Sequence, residues 1–274
     1  MTSPHTEQTK FRLATFCLPL VFLSVAYLMA AQIFGLWPLR LPAATVCPAT
    51  ATNNQIFVDP TGSNQHTENW QPEAHSFAQA LGSCARATFW TIDDNSSSAA
   101  AYGKPLVFPM VDPSAPGAIR ITVEKQIEAL RAEVEQRIAK MMLQKGAARS
   151  DVIGIFNKLL PEVDRRNVLV VFSDGKESGG GVDLEDGHSC IDPGNVSGLV
   201  DLALRNRHME STVDRFDAIK WVIPASSGNL GCNSRDELRL FWGAVVARLS
   251  RPGRAPALLF DTNVFSLGAE YEPH

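Results

Sequence analysis

Apolar residues along this chain fall into one unbroken block, then into short runs and helical stripes. The block comes first: between positions 13 and 39 no charged residue occurs and most side chains are apolar. A helix of about 20 apolar residues is long enough to cross a bilayer, and Pro19 is compatible with such a helix. Tyr27 and Trp37 are amphipathic aromatics, and Trp37 sits where the far interface would fall. The pattern predicts a transmembrane helix over 13–37. A cleaved signal peptide, cut near Ala30-Ala31, is the rival reading. The apolar core of a signal peptide spans roughly 7–15 residues, so the length of this block favours an uncleaved anchor. Lys10 and Arg12 precede it, and Arg40 alone follows closely. The positive-inside rule then places a cytoplasmic tail at 1–12 and the remainder of the chain outside the cytoplasm.

A Pro-, Ala-, Thr- and Asn-rich stretch, 38–52, reads as a linker. From 53 to 262, runs with strand character alternate with helical stripes. Ile56-Phe57-Val58, 88–92, 106–108, 218–223 and 257–260 read as strands. Val168-Leu169-Val170-Val171-Phe172 is apolar without interruption, as expected of a central parallel strand buried on both faces. Helical spacing marks 71–84, 151–160, 200–204 and 235–249. The clearest stripe is Val123, Ile127, Leu130, Val134, Ile138 and Met141, with Glu133 and Arg137 as an i,i+4 pair on its polar side. Residues 263–274 read as a tail. The expected fold is α/β: a Rossmann-like, mostly parallel sheet with helices on both faces, behind an N-terminal transmembrane helix.

Composition narrows the function classes. The 274 residues carry a formal net charge of −4 and no long basic run, which argues against a nucleic-acid partner. Four of the five cysteines, Cys47, Cys84, Cys190 and Cys232, lie in the part expected outside the cytoplasm. An even count in an oxidising compartment suggests two disulfides, with four free thiols as the alternative. Cys47 precedes the first strand and Cys84 follows the helix returning from its top; Cys190 and Cys232 each follow one of two consecutive strands. That topology predicts Cys47–Cys84 and Cys190–Cys232.

Ligands of such sheets bind beyond the carboxyl ends of the strands, and there the candidate chemistry gathers. The first strand ends in Asp59-Pro60-Thr61-Gly62-Ser63, and the central strand in Ser173-Asp174-Gly175. Ser150 begins the helical stripe that precedes the central strand. Two carboxylates with neutral hydroxyls form an oxygen-only set suited to Mg²⁺, Ca²⁺ or Mn²⁺ rather than zinc or copper. The bland alternative is that these side chains only cap their own turns. His66 and His75 lie nearby but oxygen chemistry does not need them. The acids Asp183, Glu185, Asp186 and Asp192, with His188, fit no EF-hand spacing and read as a solvated loop.

These motifs resemble the von Willebrand factor A domain, in which a first strand ends in Asp-x-Ser-x-Ser, a later loop offers a Thr, and a buried strand ends in an Asp. The resemblance spans about 52–250. It implies a metal-ion-dependent adhesion site made of Asp59, Thr61, Ser63, Ser150 and Asp174, with Thr61 and Ser150 as hydroxyl-conserving departures and Pro60 as a less usual residue. It further implies no enzymatic activity, a divalent cation as cofactor, and a protein partner that presents an acidic residue. With the anchor, the expectation is a single-pass, membrane-anchored binding module facing the periplasm or the extracellular space, within an envelope complex. Two rivals stand beside it. A haloacid-dehalogenase-like phosphatase would use Asp59 as nucleophile, but needs a second acid where Thr61 stands. A structural subunit of a membrane complex would share the fold and need no metal.

Overall fold

The two central strands explain the architecture. β1 (Thr52–Val58) and β4 (Arg166–Phe172) are each buried at six of seven positions, so both need cover on both faces and a strand on each edge. A computed structural model describes residues 47–60, 70–179, 181–184, 189–205, 207, 209, 211–223, 232–261 and 263–265. Its sheet has six strands in the order β3-β2-β1-β4-β5-β6, with β2 Arg86–Thr91, β3 Leu106–Val107, β5 Ala218–Val222 and β6 Ala257–Asp261. Every pairing is parallel except β2 with β3. Val58 pairs with both Thr91 and Phe172, so the carboxyl ends of three strands are level. Strand order reverses between β1 and β4, which makes the crevice above them the point where a sheet of this kind binds ligands.

Alternation along the strands divides the core in two. Ile56, Val58, Val170 and Phe172 face α1 (Gln71–Ala80) and α2 (Gly117–Met142), burying Phe77, Ile127, Val134, Ile138 and Met141. Phe57, Leu169, Val171, Ile219 and Trp221 face the opposite layer: a 3₁₀ turn (Ile153–Asn157), α3 (Val196–Leu204) and α4 (Arg235–Leu249). The mostly parallel sheet covered on both faces is thus as expected. Glu133 and Arg137 form their ion pair at 2.6 Å. By contacts, the larger unit is Cys47–Val111 with the chain from Ile121 onward. Of the smaller unit, Asp112–Arg120 is described; there Ser114 donates its backbone N–H and its hydroxyl to Asp112 at 2.8 and 2.6 Å, which lowers the Asp112 pKa.

Several boundaries differ from the sequence expectation. The 151–160 helix is only the five-residue 3₁₀ turn, with Asp151 accepting the Gly154 N–H at 3.1 Å ahead of it and Ile153, Gly154, Ile155 and Phe156 all buried. Pro161 disfavours helix just beyond. β1 begins before its apolar run, since Asn53, Asn54 and Gln55 are buried but satisfied: Asn53 donates to Asn167 Oδ1 at 2.9 Å, Asn54 to the Arg86 carbonyl at 3.1 Å, and Gln55 accepts from Leu160 at 3.1 Å. α1 stops at Ala80, and Cys84 then adopts φ +64°. Val264 and Phe265, in the stretch read as a tail, pack on the core, and the Phe265 N–H reaches Glu73 at 3.0 Å. The 13–37 span lies outside the described residues; among these, no helix is long and apolar enough to cross a membrane.

Both expected disulfides are present, Cys47–Cys84 and Cys190–Cys232, closing 37- and 42-residue separations. The first lies at the amino ends of the strands, the second joins the loops following β4 and β5. Loop-closure entropy predicts that replacing Cys190 and Cys232 by Ser lowers the unfolding free energy by about 2–4 kcal/mol. Denaturant titration measures this, and non-reducing peptide mapping should recover the two linked pairs and no Cys84–Cys190 peptide.

Candidate functional site

Asp59 follows β1 directly and is fully buried. A buried carboxylate is costly unless hydrogen-bonded, and two distant hydroxyls meet it. Ser173, the first residue after β4, donates to Asp59 Oδ2 at 2.8 Å. Ser150 donates to the same oxygen at 3.2 Å, with Oδ1 at 3.4 Å. Ser150 is 1% exposed and Asp174 2%. Asp59, Ser150 and the Ser173-Asp174 turn therefore come together at the carboxyl ends of β1 and β4. Thr61 and Ser63 lie outside the described residues, as do His66, Glu185, Asp186 and His188.

The Ser173–Gly175 turn is pinned from beneath. The Trp221 indole N–H donates to the Ser173 carbonyl at 3.0 Å, and that of Trp242 to the Gly175 carbonyl at 2.8 Å. The two rings contact each other with centroids 4.5 Å apart. Gly175 has φ +78°, and a Cβ there would stand 3.0 Å from Phe260 and 3.2 Å from the Trp242 nitrogen. The turn thus requires glycine both for its backbone and for space. Beyond it the chain folds back: the Lys176 N–H reaches Asp174 Oδ1 at 3.0 Å and its ammonium lies 3.7 Å from Oδ2.

Ser150 is held by a second cluster. Ser150 and Ser178 exchange bonds, the Ser150 N–H to the Ser178 hydroxyl at 2.8 Å and the Ser178 N–H to the Ser150 carbonyl at 3.0 Å. The Asp151 N–H reaches the Asp93 carbonyl at 2.8 Å, tying the segment to the loop after β2. The Arg207 guanidinium bridges Asp151 and Glu177, the latter at 3.1 Å. Glu177 also accepts from the N–H groups of Ile153 and Gly179, each at 2.8 Å. Burial pushes the Glu177 pKa up to about 8, against Arg207 and the two N–H groups, which pull it down. Lys176, Glu177, Ser178 and Arg207 carried no sequence signal beyond their place in a polar stretch. Ser173 was visible only as the neighbour of Asp174.

Other candidates have structural roles. His75 pairs with Glu135 at 3.0 Å on the surface. Asp192 caps its own turn, accepting from Gly194 at 2.7 Å and Asn195 at 3.0 Å. Among the described residues, no group of three or more His, Cys, Asp or Glu side chains could hold a metal ion. A cation at the strand ends would therefore depend on hydroxyls. Asp59, Ser150, Ser173 and Asp174 fit that need in chemistry: hard oxygens, two of them carboxylates, and neutral donors otherwise.

No family model matches the sequence, and no curated protein matches it. Solved structures resemble the chain at low identity. A von Willebrand factor type A protein from Catenulispora acidiphila has a TM-score of 0.36 and 12% identity over 80% of this chain and 41% of that one. Proximal thread matrix protein 1 from the mussel byssus has 0.35 and 8%, over 81% and 46%. An aerotolerance-related membrane protein from Bacteroides fragilis has 0.36 and 11%, over 79% and 94%. The chain spans less than half the length of the first two. Likeness at this level does not establish a family, so the side chains themselves have to carry the functional reading.

Two outcomes follow from the geometry. Gly175→Ala should lower stability by about 2 kcal/mol, from the left-handed backbone and the Phe260 contact, read by denaturant unfolding. A Glu177 pKa raised above its unfolded value means the folded state holds the proton more tightly. The contribution is complete below about pH 4.5 and is lost as pH rises through about 8. Unfolding free energy should therefore fall from about pH 4.5 to about 8 and level off above that, and Glu177→Gln should flatten that slope.

Proposed function

We propose that the chain is a membrane-anchored, von Willebrand factor A-like binding module that captures a carboxylate of a protein partner in a divalent-cation-dependent way, in an envelope complex outside the cytoplasm. The observation that carries this reading is the convergence on one buried carboxylate, Asp59, of hydroxyls 91 and 114 residues away in sequence.

Asp59 and Asp174 would hold the cation with Ser150, Thr61 and Ser63, Ser173 orienting Asp59 by its hydrogen bond. Mg²⁺, Ca²⁺ and Mn²⁺ all suit such a set. When bound, the cation supplies an electrophilic centre with exchangeable water positions, which an acidic side chain of the partner can take. The protein's own residues do the rest. Trp221 and Trp242 fix the Ser173–Gly175 turn, and the Asp151–Arg207–Glu177 cluster fixes Ser150. The reading assigns the chain no catalytic role. Anchoring by the 13–37 helix would present the strand ends to partners outside the cytoplasm.

Partner capture by the full-length protein in detergent tests this reading. Capture from an envelope extract should occur with Mg²⁺, be lost with EDTA, return on adding Mg²⁺ back, and be absent in Asp59→Ala. Capture that survives EDTA and Asp59→Ala would instead support a metal-independent structural subunit.

A further inference from the structure

Lys176 is the residue beside this site that nothing so far has used. Its placement is specific. The positive-φ Gly175 reverses the chain so that Lys176 returns to Asp174 twice, by its N–H on Oδ1 at 3.0 Å and by its ammonium near Oδ2 at 3.7 Å. The pair is nearly dry, with the Lys176 side chain 11% exposed and that of Asp174 3%. In such surroundings a charge interaction is far stronger than on the surface. Of the two acids that would balance a divalent cation, one already faces a positive charge from its own loop.

We propose that Lys176 is a tethered counter-ion: its ammonium neutralises Asp174 while no metal is bound, and withdraws when a divalent cation enters. The inference rests on the cation reading given above and adds what regulates it. An ammonium and a divalent cation drawn to the same carboxylate repel each other, so one has to leave. Lysine suits the part: its charge is compact and its four-carbon stem is flexible, whereas a guanidinium would grip the carboxylate as a planar fork. The consequence is a higher threshold. Asp59, Asp174 and Lys176 together carry one negative charge instead of the two that the acids alone would offer. The site therefore fills only at cation concentrations high enough to displace the ammonium, and a partner carboxylate that completes the coordination helps to displace it.

The test is isothermal titration of Mg²⁺ into the full-length protein in detergent, comparing wild type, Lys176→Met, Lys176→Gln and Lys176→Arg. Thermal melts confirm that each is folded. Met and Gln should each tighten Mg²⁺ binding by about tenfold, while Arg, which keeps the charge, should not tighten it. Saturating Mg²⁺ should also raise the acylation rate of Lys176, read by mass spectrometry against the exposed Lys125 and Lys140 as internal standards. If wild type binds Mg²⁺ and the Met and Gln variants bind it with the same affinity, the counter-ion role is overturned and the cation reading stands. If the Met and Gln variants bind but wild type does not at any accessible concentration, the counter-ion role holds and the cation reading fails for the native chain. If none binds, both are overturned.

Discussion

The structure depends on burying one carboxylate, Asp59. Burying that group is tolerable only if hydroxyls reach it, and these come from two other parts of the chain. Their arrival requires that β1 and β4 be neighbours, that their ends be level, and that the intervening segment return over the crevice. Parallel pairing of Val58 with Phe172 provides the first two conditions. The 3₁₀ turn and its preceding Ser150 provide the third.

Around that carboxylate the fold is braced by polar groups in apolar settings. Two tryptophans use their rings to fill the core and their N–H groups to hold the Ser173–Gly175 turn. Arg207 joins Asp151 to Glu177 in a buried cluster, where removing one partner would leave charge uncompensated. At the rim, Cys190–Cys232 joins the loops after β4 and β5, and Asn233 takes the Ile191 N–H at 2.7 Å beside it. These devices hold the carboxyl ends of the strands in one arrangement, which is what a rigid binding site on this kind of sheet needs.

Much of this was legible in the chain, in ways that differ by element. The five apolar residues from Val168 read as a central strand buried on both faces, which placed Asp174 at its carboxyl end. The stripe from Val123 to Met141 likewise had one reading. Asp59 was found because an acid with hydroxyls at a strand end has a chemistry of its own, and Ser150 because the resemblance implied a hydroxyl on a later loop. Other features were hidden because polar residues were doing the work of apolar ones. Asn53, Asn54 and Gln55 look like linker until their cross-strand partners are known. Asp151 looks like the start of a longer helix, but the turn it opens ends at Asn157. Glu177 and Arg207 find each other only through the fold, 30 residues apart. No pattern of spacing marks such a pair.

The central claim is that Asp59 and its hydroxyls form a divalent-cation site. Manganese titration of the full-length protein, followed by electron paramagnetic resonance, tests it most directly. The account predicts saturable binding of one Mn²⁺ per chain, displaced by Mg²⁺ and lost in an Asp59→Asn, Asp174→Asn double variant that remains folded. Mn²⁺ binding unchanged in that variant, or none in the wild-type protein at millimolar metal, would contradict it.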